Sequence, residues 1–341
     1  IHPYEVFSNW YHHAPGDSME VVYYVLPSQL SNAQAGYPVT VDMLHAFTEG
    51  FGVYPFLSEK YGHAQFDWGG GMEHQTLSSL KYFSYSPWLL AHELAHQWWG
   101  DLVTCATFHH IWLNEGFATW AEAYWREQSE GPAAYHEEMN NAAYWGEGTI
   151  YVEDPSSGGI FTYWTTYAKA SWVVHMLRHV LGDENFFSTL AAYRQQYAYA
   201  SATTEQFRDV CEAVSGLDLD AFFQQWIYGE YYPQYDFAWY DRAGGTEREV
   251  HLSLTQSQEN TGLFTMPIDV VITTDTGVHE FVIQNNQVQQ TYTFMVSGAV
   301  QSVALDPDRW ILATFQEIAV DVPDGEITTA RLLPNHPNPF N

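Results

Sequence analysis

Residues His92-Glu93-Leu94-Ala95-His96 hold two histidines four positions apart, and Glu115 follows nineteen residues after the second, in Asn114-Glu115-Gly116. On a helix, side chains at i and i+4 project from one face, one turn above the other. Two imidazoles and one carboxylate are the ligand set of a three-ligand zinc site that keeps its fourth position for water. Zinc lowers the pKa of that water to about 7, which makes a hydroxide-like nucleophile at neutral pH. Glu93 stands beside the first ligand, placed to take the water's proton rather than to bind metal. The chemistry implied is hydrolysis with one zinc per chain, bound by His92, His96 and Glu115. The plainer alternative is a buried helix whose two histidines only satisfy hydrogen bonds in a core.

The elements that must position these groups are legible on either side. Ser86-Pro87 offers an N-cap and a first-turn proline, and Trp88, Leu89, Leu90, Leu94, Ala95, Trp98 and Trp99 supply a buried helical surface. The spacing predicts a helix that runs to Gly100. Asn114 is expected to cap a second helix over Phe117–Trp125, with Glu115 in its first turn. The adjacent pairs His12-His13 and His109-His110 point in different directions and read as loop or surface residues.

Four segments, in this order, resemble the gluzincin zinc aminopeptidases of the aminopeptidase N and leukotriene hydrolase type: Gly70-Gly71-Met72-Glu73-His74, His92–His96, Trp112-Leu113-Asn114-Glu115-Gly116-Phe117-Ala118 and Tyr167-Ala168-Lys169-Ala170. The resemblance spans roughly residues 1–310. It implies zinc ligation by His92, His96 and Glu115, with Glu93 as general base. It gives Glu73 the substrate's free α-amine, and Gly70, Gly71 and Met72 a strand that pairs with the substrate backbone, where glycine permits close approach. Tyr167 matches a tyrosine that stabilises the oxyanion, with Tyr163 a nearby competitor. Two departures stand out. His74 occupies a position where the family most often has asparagine. The complete β-rich domain that precedes the catalytic one in relatives has here only Tyr4–Asp17 as a candidate remnant; in relatives it supplies a second group for the amine and part of the first side-chain pocket.

Composition narrows the setting. Forty-one acidic residues against eleven basic ones give a net charge of −30, which repels nucleic acid and anionic membranes. No apolar run approaches a membrane span. Cys105 and Cys211, the two cysteines, are open to a disulfide or to two buried thiols. The acidity suits a secreted or cell-surface protein, with bacterial export favoured. The expected partners are peptide substrates, with no obligate protein partner evident.

The expected fold is α+β: a thermolysin-like, mainly helical metallopeptidase domain over 1–235, then a small β-sandwich over 236–318. Strands are expected at 18–27, 250–255, 268–273, 279–283 and 291–296. Helices are expected at 41–51, from about Trp164 to Gly182, after a capping box at Thr203 and Gln206, and from Asp218 to near Gly229. Residues 319–331 read as a polar linker, and 332–341 resemble the opening of a C-terminal sorting domain. The sandwich reads as a buttress or a binding module. For the chain as a whole the leading function is a zinc aminopeptidase; a less strict zinc hydrolase acting on internal peptide bonds or esters, and a non-catalytic aromatic-rich binding module, are the alternatives.

Overall fold

A computed structural model describes residues 3–81, 83–244 and 246–319. The chain divides into two compact units, the first holding residues through 144 with 148–228, the second holding 145–147 with the chain from 229 on.

The first unit begins with a five-stranded sheet: β1 (Glu5–Ala14), β2 (Asp17–Val25), β3 (Tyr61–Phe66), β4 (Gly71–Met72) and β5 (Ser78–Lys81), in the order β1-β2-β3-β5-β4. The segment expected as an upstream remnant is a full member of this sheet. Pro15-Gly16 turns the chain, with Gly16 at φ +83°, and β1 pairs antiparallel with β2 from Ala14↔Asp17 to Glu5↔Val25. At the far end β4 is the edge strand, bonded on one side only, through Gly71↔Leu80 and Met72↔Ser79.

Helices α1 (Leu30–Gly36) and α2 (Val39–Phe51) lie between β2 and β3 in sequence. After β5 come α3 (Pro87–Ala95), a short strand β6 (Val103–Cys105), α4 (Trp112–Glu130) and α5 (Pro132–Asn141). Then α6 (Ala170–Tyr197), strand β7 (Ala200–Ala202), α7 (Thr204–Ser215) and α8 (Asp220–Trp226) follow, and β7 pairs parallel with β6. Every residue of α3 from Leu89 to Ala95 is buried, so this helix forms the centre of the unit rather than one of its faces. Around it Trp98, Trp99, Trp112, Trp120 and Trp172 are fully buried, and Phe51 meets Trp98 and Trp99 edge to face at 5.8 and 5.7 Å.

Several boundaries differ from expectation for local reasons. Helix α3 ends at Ala95, short of Gly100, because Gln97 and Trp98 donate to carbonyls three residues back and tighten the last turn. Helix α4 starts at Trp112, so Asn114 lies inside it; its Oδ1 accepts the Cys105 N–H instead of capping. Gly182 ends the first helical part of α6 as expected: at φ 72°, ψ 155° it breaks the helical backbone, and a second helical part follows and runs to Tyr197. The capping box of α7 forms as expected, with Thr203 Oγ1 accepting from Gln206 N–H. His110, expected at the surface, is buried, and its ring pairs with Thr204 Oγ1 at 2.9 Å. Both cysteines are buried free thiols.

The second unit is all β. Strands β8 (Gln234–Gly244), β9 (Glu247–Gln256), β10 (Met266–Thr274), β11 (Gly277–Asn285), β12 (Gln289–Val296), β13 (Val300–Leu305) and β14 (Thr314–Glu317) form two sheets. Their orders are β11-β10-β13 and β12-β9-β8-β14. Alternate residues of β8, β9 and β10 are buried, the period of strands with one face in a core. The expected linker and sorting-like segment lie outside the described residues from 320 on. No helix among the described residues is long and apolar enough to cross a membrane.

Candidate metal centre and active-site cavity

Helix α3 delivers His92 and His96 on one face, and α4 brings Glu115 against them. Glu115 Oε2 lies 3.3 Å from His92 Nε2 and 3.2 Å from His96 Nε2, and the two Nε2 atoms are 3.1 Å apart. Three ligands held 2.0–2.1 Å from a tetrahedral ion stand roughly 3.3–3.4 Å from one another, so the triangle has the size zinc requires. The opposite ring nitrogens are engaged. His92 Nδ1–H donates to Glu122 at 2.9 Å, and His96 Nδ1–H donates to the Trp99 carbonyl at 3.0 Å. Both bonds fix the tautomer that leaves an Nε2 lone pair for a metal. The donor set therefore fits the ion that the sequence calls for.

Glu122 escaped the sequence reading. It sits seven residues, two turns, after Glu115 on α4, and that spacing from a ligand was the signal available. Its carboxyl is pushed up by burial, against the opposing pull of His92. Burial opposes charge on His92 too, yet with no ion bound its hydrogen bonds to the Glu115 and Glu122 carboxylates outweigh it and raise its pKa well above the usual range; a metal would take the place of the Nε2 proton.

Glu93 points from the same helix into a buried setting, where Oε2 has no protein partner. Burial pushes its carboxyl up to about 7, against the pull of His92 and His96. The two glycines ahead of Glu73 turn out to answer different demands. Gly70 adopts φ +81°, a conformation that favours glycine. At Gly71 a Cβ would lie 2.2 Å from Glu93 Oε1 and 2.4 Å from its Cδ. Close approach is needed there, and the partner is Glu93.

The loop bearing Glu73 is pinned from beneath by Gln97, a fully buried side chain. Gln97 Nε2 donates to the Glu73 carbonyl at 3.3 Å and to Asp101 at 2.7 Å, while its Oε1 accepts the Thr76 N–H at 2.8 Å. His74 is exposed and pairs with Ser79 Oγ at 3.0 Å.

Tyr167 is delivered by a π-helical stretch, Tyr163–Lys169, of the kind that recurs at functional sites. Its ring stacks 6.1 Å from that of His92, whereas Tyr163 is more than half exposed. Burial, with Glu115, Glu73 and Glu93 adding to it, raises the Tyr167 phenol far above its ordinary pKa, so it stays a hydrogen-bond donor at any working pH. What brings Tyr167 to Glu115 is a second close approach. A Cβ at Gly116 would lie 2.8 Å from Ala170 Cβ, so Gly116 lets α4 press against the start of α6. His92, Glu93, His96, Glu115, Tyr167, Glu73, Gly70, Gly71 and Met72 all line one cavity of about 1160 Å³. The other acidic group with metal-like spacing, Glu212, Asp218 and Asp220, lies away from it and is largely exposed.

This fold and donor set define an α+β metallopeptidase domain. Residues 72–226, somewhat under half of the chain, match the peptidase family M1 domain. It is 29% identical to aminopeptidase M1-A of Oryza sativa subsp. japonica over 65% of this chain and 26% of that protein. It is 34% identical to aminopeptidase N of Lactococcus lactis over 47% of this chain and 20% of that one. The chain thus spans about a quarter or less of the curated relatives' length. A solved structure of Legionella pneumophila aminopeptidase A, in complex with aspartic acid, shares the fold with a TM-score of 0.78 at 18% identity, over 92% of this chain and 38% of that one.

Proposed function

We propose that the chain is a zinc-dependent aminopeptidase that removes N-terminal residues from peptides. The observation that carries this is the triangle of His92, His96 and Glu115 beside a buried Glu93 and a protonated Tyr167. His92, His96 and Glu115 would hold the ion, which would supply Lewis-acid polarisation of the peptide carbonyl and a lowered pKa for the attacking water. Glu93 takes the proton of the attacking water on its carboxylate and passes it to the leaving amine. The Tyr167 hydroxyl donates to the carbonyl oxygen as negative charge builds there. The edge of β4 offers unpaired backbone groups to an extended substrate, and Glu73, at the end of that strand, takes the protonated α-amine. The matching M1 domain and the aminopeptidase relatives support the same reading. The net charge of −30 suits a secreted or cell-surface enzyme.

Glu73→Ala tests the exopeptidase part. A charge-assisted contact worth about 1.5–3 kcal/mol predicts a loss of roughly 10- to 100-fold in kcat/KM on aminoacyl anilides. N-acetylated or ester substrates should change little. Equal losses on free and N-blocked substrates overturn the aminopeptidase assignment and leave a less strict zinc hydrolase.

A further inference from the structure

The cavity has a charge and a surface that the reaction alone does not demand. Five carboxylates line it (Glu73, Glu93, Glu115, Glu122 and Glu138), and no lysine or arginine does so among the described residues. A divalent ion offsets two charges, those of Glu115 and Glu93. Glu122 spends its hydrogen bond on His92, and Glu73, which faces no lysine or arginine among the lining residues, is matched by the substrate's own α-ammonium. Glu138 is held by Arg126, but that one guanidinium is shared with Glu130 and Glu137, at 3.1, 3.1 and 2.8 Å, so three carboxylates divide one positive charge.

The walls are aromatic. Trp68, Trp88, Phe108, Phe161 and Tyr163 line the cavity, and each leaves about half its surface exposed. Phe108 and Phe161 meet edge to face, 6.1 Å apart at 73°. Exposed aromatics gathered on one concavity, rather than scattered, mark a surface that contacts a ligand. Their faces suit flat apolar side chains by stacking and cationic ones by attraction to the ring quadrupole.

We propose that this cavity selects peptides whose residues on either side of the cleaved bond are aromatic, large apolar or cationic, and rejects those with Asp or Glu there. The proposal rests on the aminopeptidase reading above. A substrate carboxylate about 8 Å from one uncompensated glutamate is disfavoured by roughly tenfold or more at the effective dielectric of a protein surface, and here Glu122 and the partly compensated Glu138 remain, with no lysine or arginine in the lining to attract it. Repulsion should also shrink as salt screens it.

The experiment measures kcat/KM for phenylalanyl, leucyl, arginyl and glutamyl anilides, and for leucyl-Xaa amides with Phe, Arg or Glu second. Glutamate is expected at least tenfold below phenylalanine and arginine at both positions; a gap under tenfold at either position overturns the proposal. Phe161→Arg places a cation on an exposed part of the wall, and its melting temperature verifies folding. It should narrow the glutamate gap at least fivefold at one position, and an unchanged gap at both removes charge as the cause and overturns the proposal. N-acetyl-leucyl anilide separates the two layers of reasoning. If it is cleaved as fast as leucyl anilide, the aminopeptidase reading falls and the selectivity proposal with it; if it is spared, a failed glutamate test sinks the selectivity alone.

Discussion

Gly71→Ala is the change that probes the geometry of the site most directly, because it alters no functional group. The backbone at Gly71 is compatible with any residue, since its φ is not positive, and the residue sits on an edge strand. An added Cβ would meet Glu93 Oε1 at 2.2 Å and Cδ at 2.4 Å. Carbon–oxygen contacts below 3 Å are steeply repulsive, so the Glu93 carboxylate must move by roughly 1 Å while α3, buried throughout, stays fixed. A misplacement of about 1 Å at a group in the reaction costs on the order of 10²-fold, or about 2.7 kcal/mol in the barrier. The expected outcome is a kcat on leucyl anilide about 10²-fold below the parent, with zinc content unchanged and a melting temperature within a few degrees. Gly70→Ala is the control. Nothing lies within 4 Å of its Cβ, but its φ of +81° strains an alanine by about 1–2 kcal/mol. That loss should fall on stability or on KM rather than on kcat. A Gly71→Ala enzyme with full kcat and full metal refutes the claim that this glycine exists to admit Glu93.

Three further outcomes are expected. Glu93→Gln should keep its zinc by elemental analysis and lose at least about 10²-fold in kcat; near-normal turnover with full metal excludes Glu93 as the base. Glu122→Gln should weaken metal affinity by about 10- to 100-fold in chelator competition, and unchanged affinity means that the His92 bond does not tune the site. His63, fully buried and paired through Nε2 with Thr40 at 3.0 Å, is pushed by burial from 6.5 down to about 3. The unfolded chain therefore binds a proton that the folded chain refuses, and stability falls as pH drops from 6.5 toward 3, by about 2 kcal/mol at pH 5. Urea unfolding of His63→Gln at pH 7 and pH 5 should show that acid loss reduced by this amount, and an identical pH slope in both proteins refutes it.

Helical periodicity made the ligands legible: i and i+4 put His92 and His96 on one face whatever the rest of the chain does, and Glu115 lay in the first turn of the next helix even though that helix began earlier than expected. Glu122 was missed because its one local signal, a two-turn spacing from Glu115 that puts both on the same face of α4, gains meaning only once Glu115 is set against His92 and His96. The glycines show the same limit in finer detail. A glycine at 71 signalled close approach, but whether substrate backbone or Glu93 makes that approach is decided by how α3 packs against β4, which the local sequence does not carry. In the second unit the buried Tyr235, Phe237 and Trp239 of β8 alternate at the strand period, yet Pro233 beside them reads as a boundary, and the four-residue β14, which pairs parallel with β8 across about eighty residues of chain, has no local signal at all.

Gly116 and Ala170 carry the argument one step further. Each looks like an ordinary small residue in a helix, where glycine costs about 1 kcal/mol relative to alanine. Their near contact sets the distance between α4, which bears Glu115 and Glu122, and the π-helical start of α6, which bears Tyr167. The short motifs around Glu115, Gly116, Tyr167 and Ala170 therefore pack as one unit: the proposed ligand, the residue that lets a helix approach it, and the phenol that the approach delivers. A larger side chain at 116 would leave every side chain of the proposed site present and push Tyr167 away from Glu115 and His92. The sequence preserves a spacing there as much as it preserves a side chain.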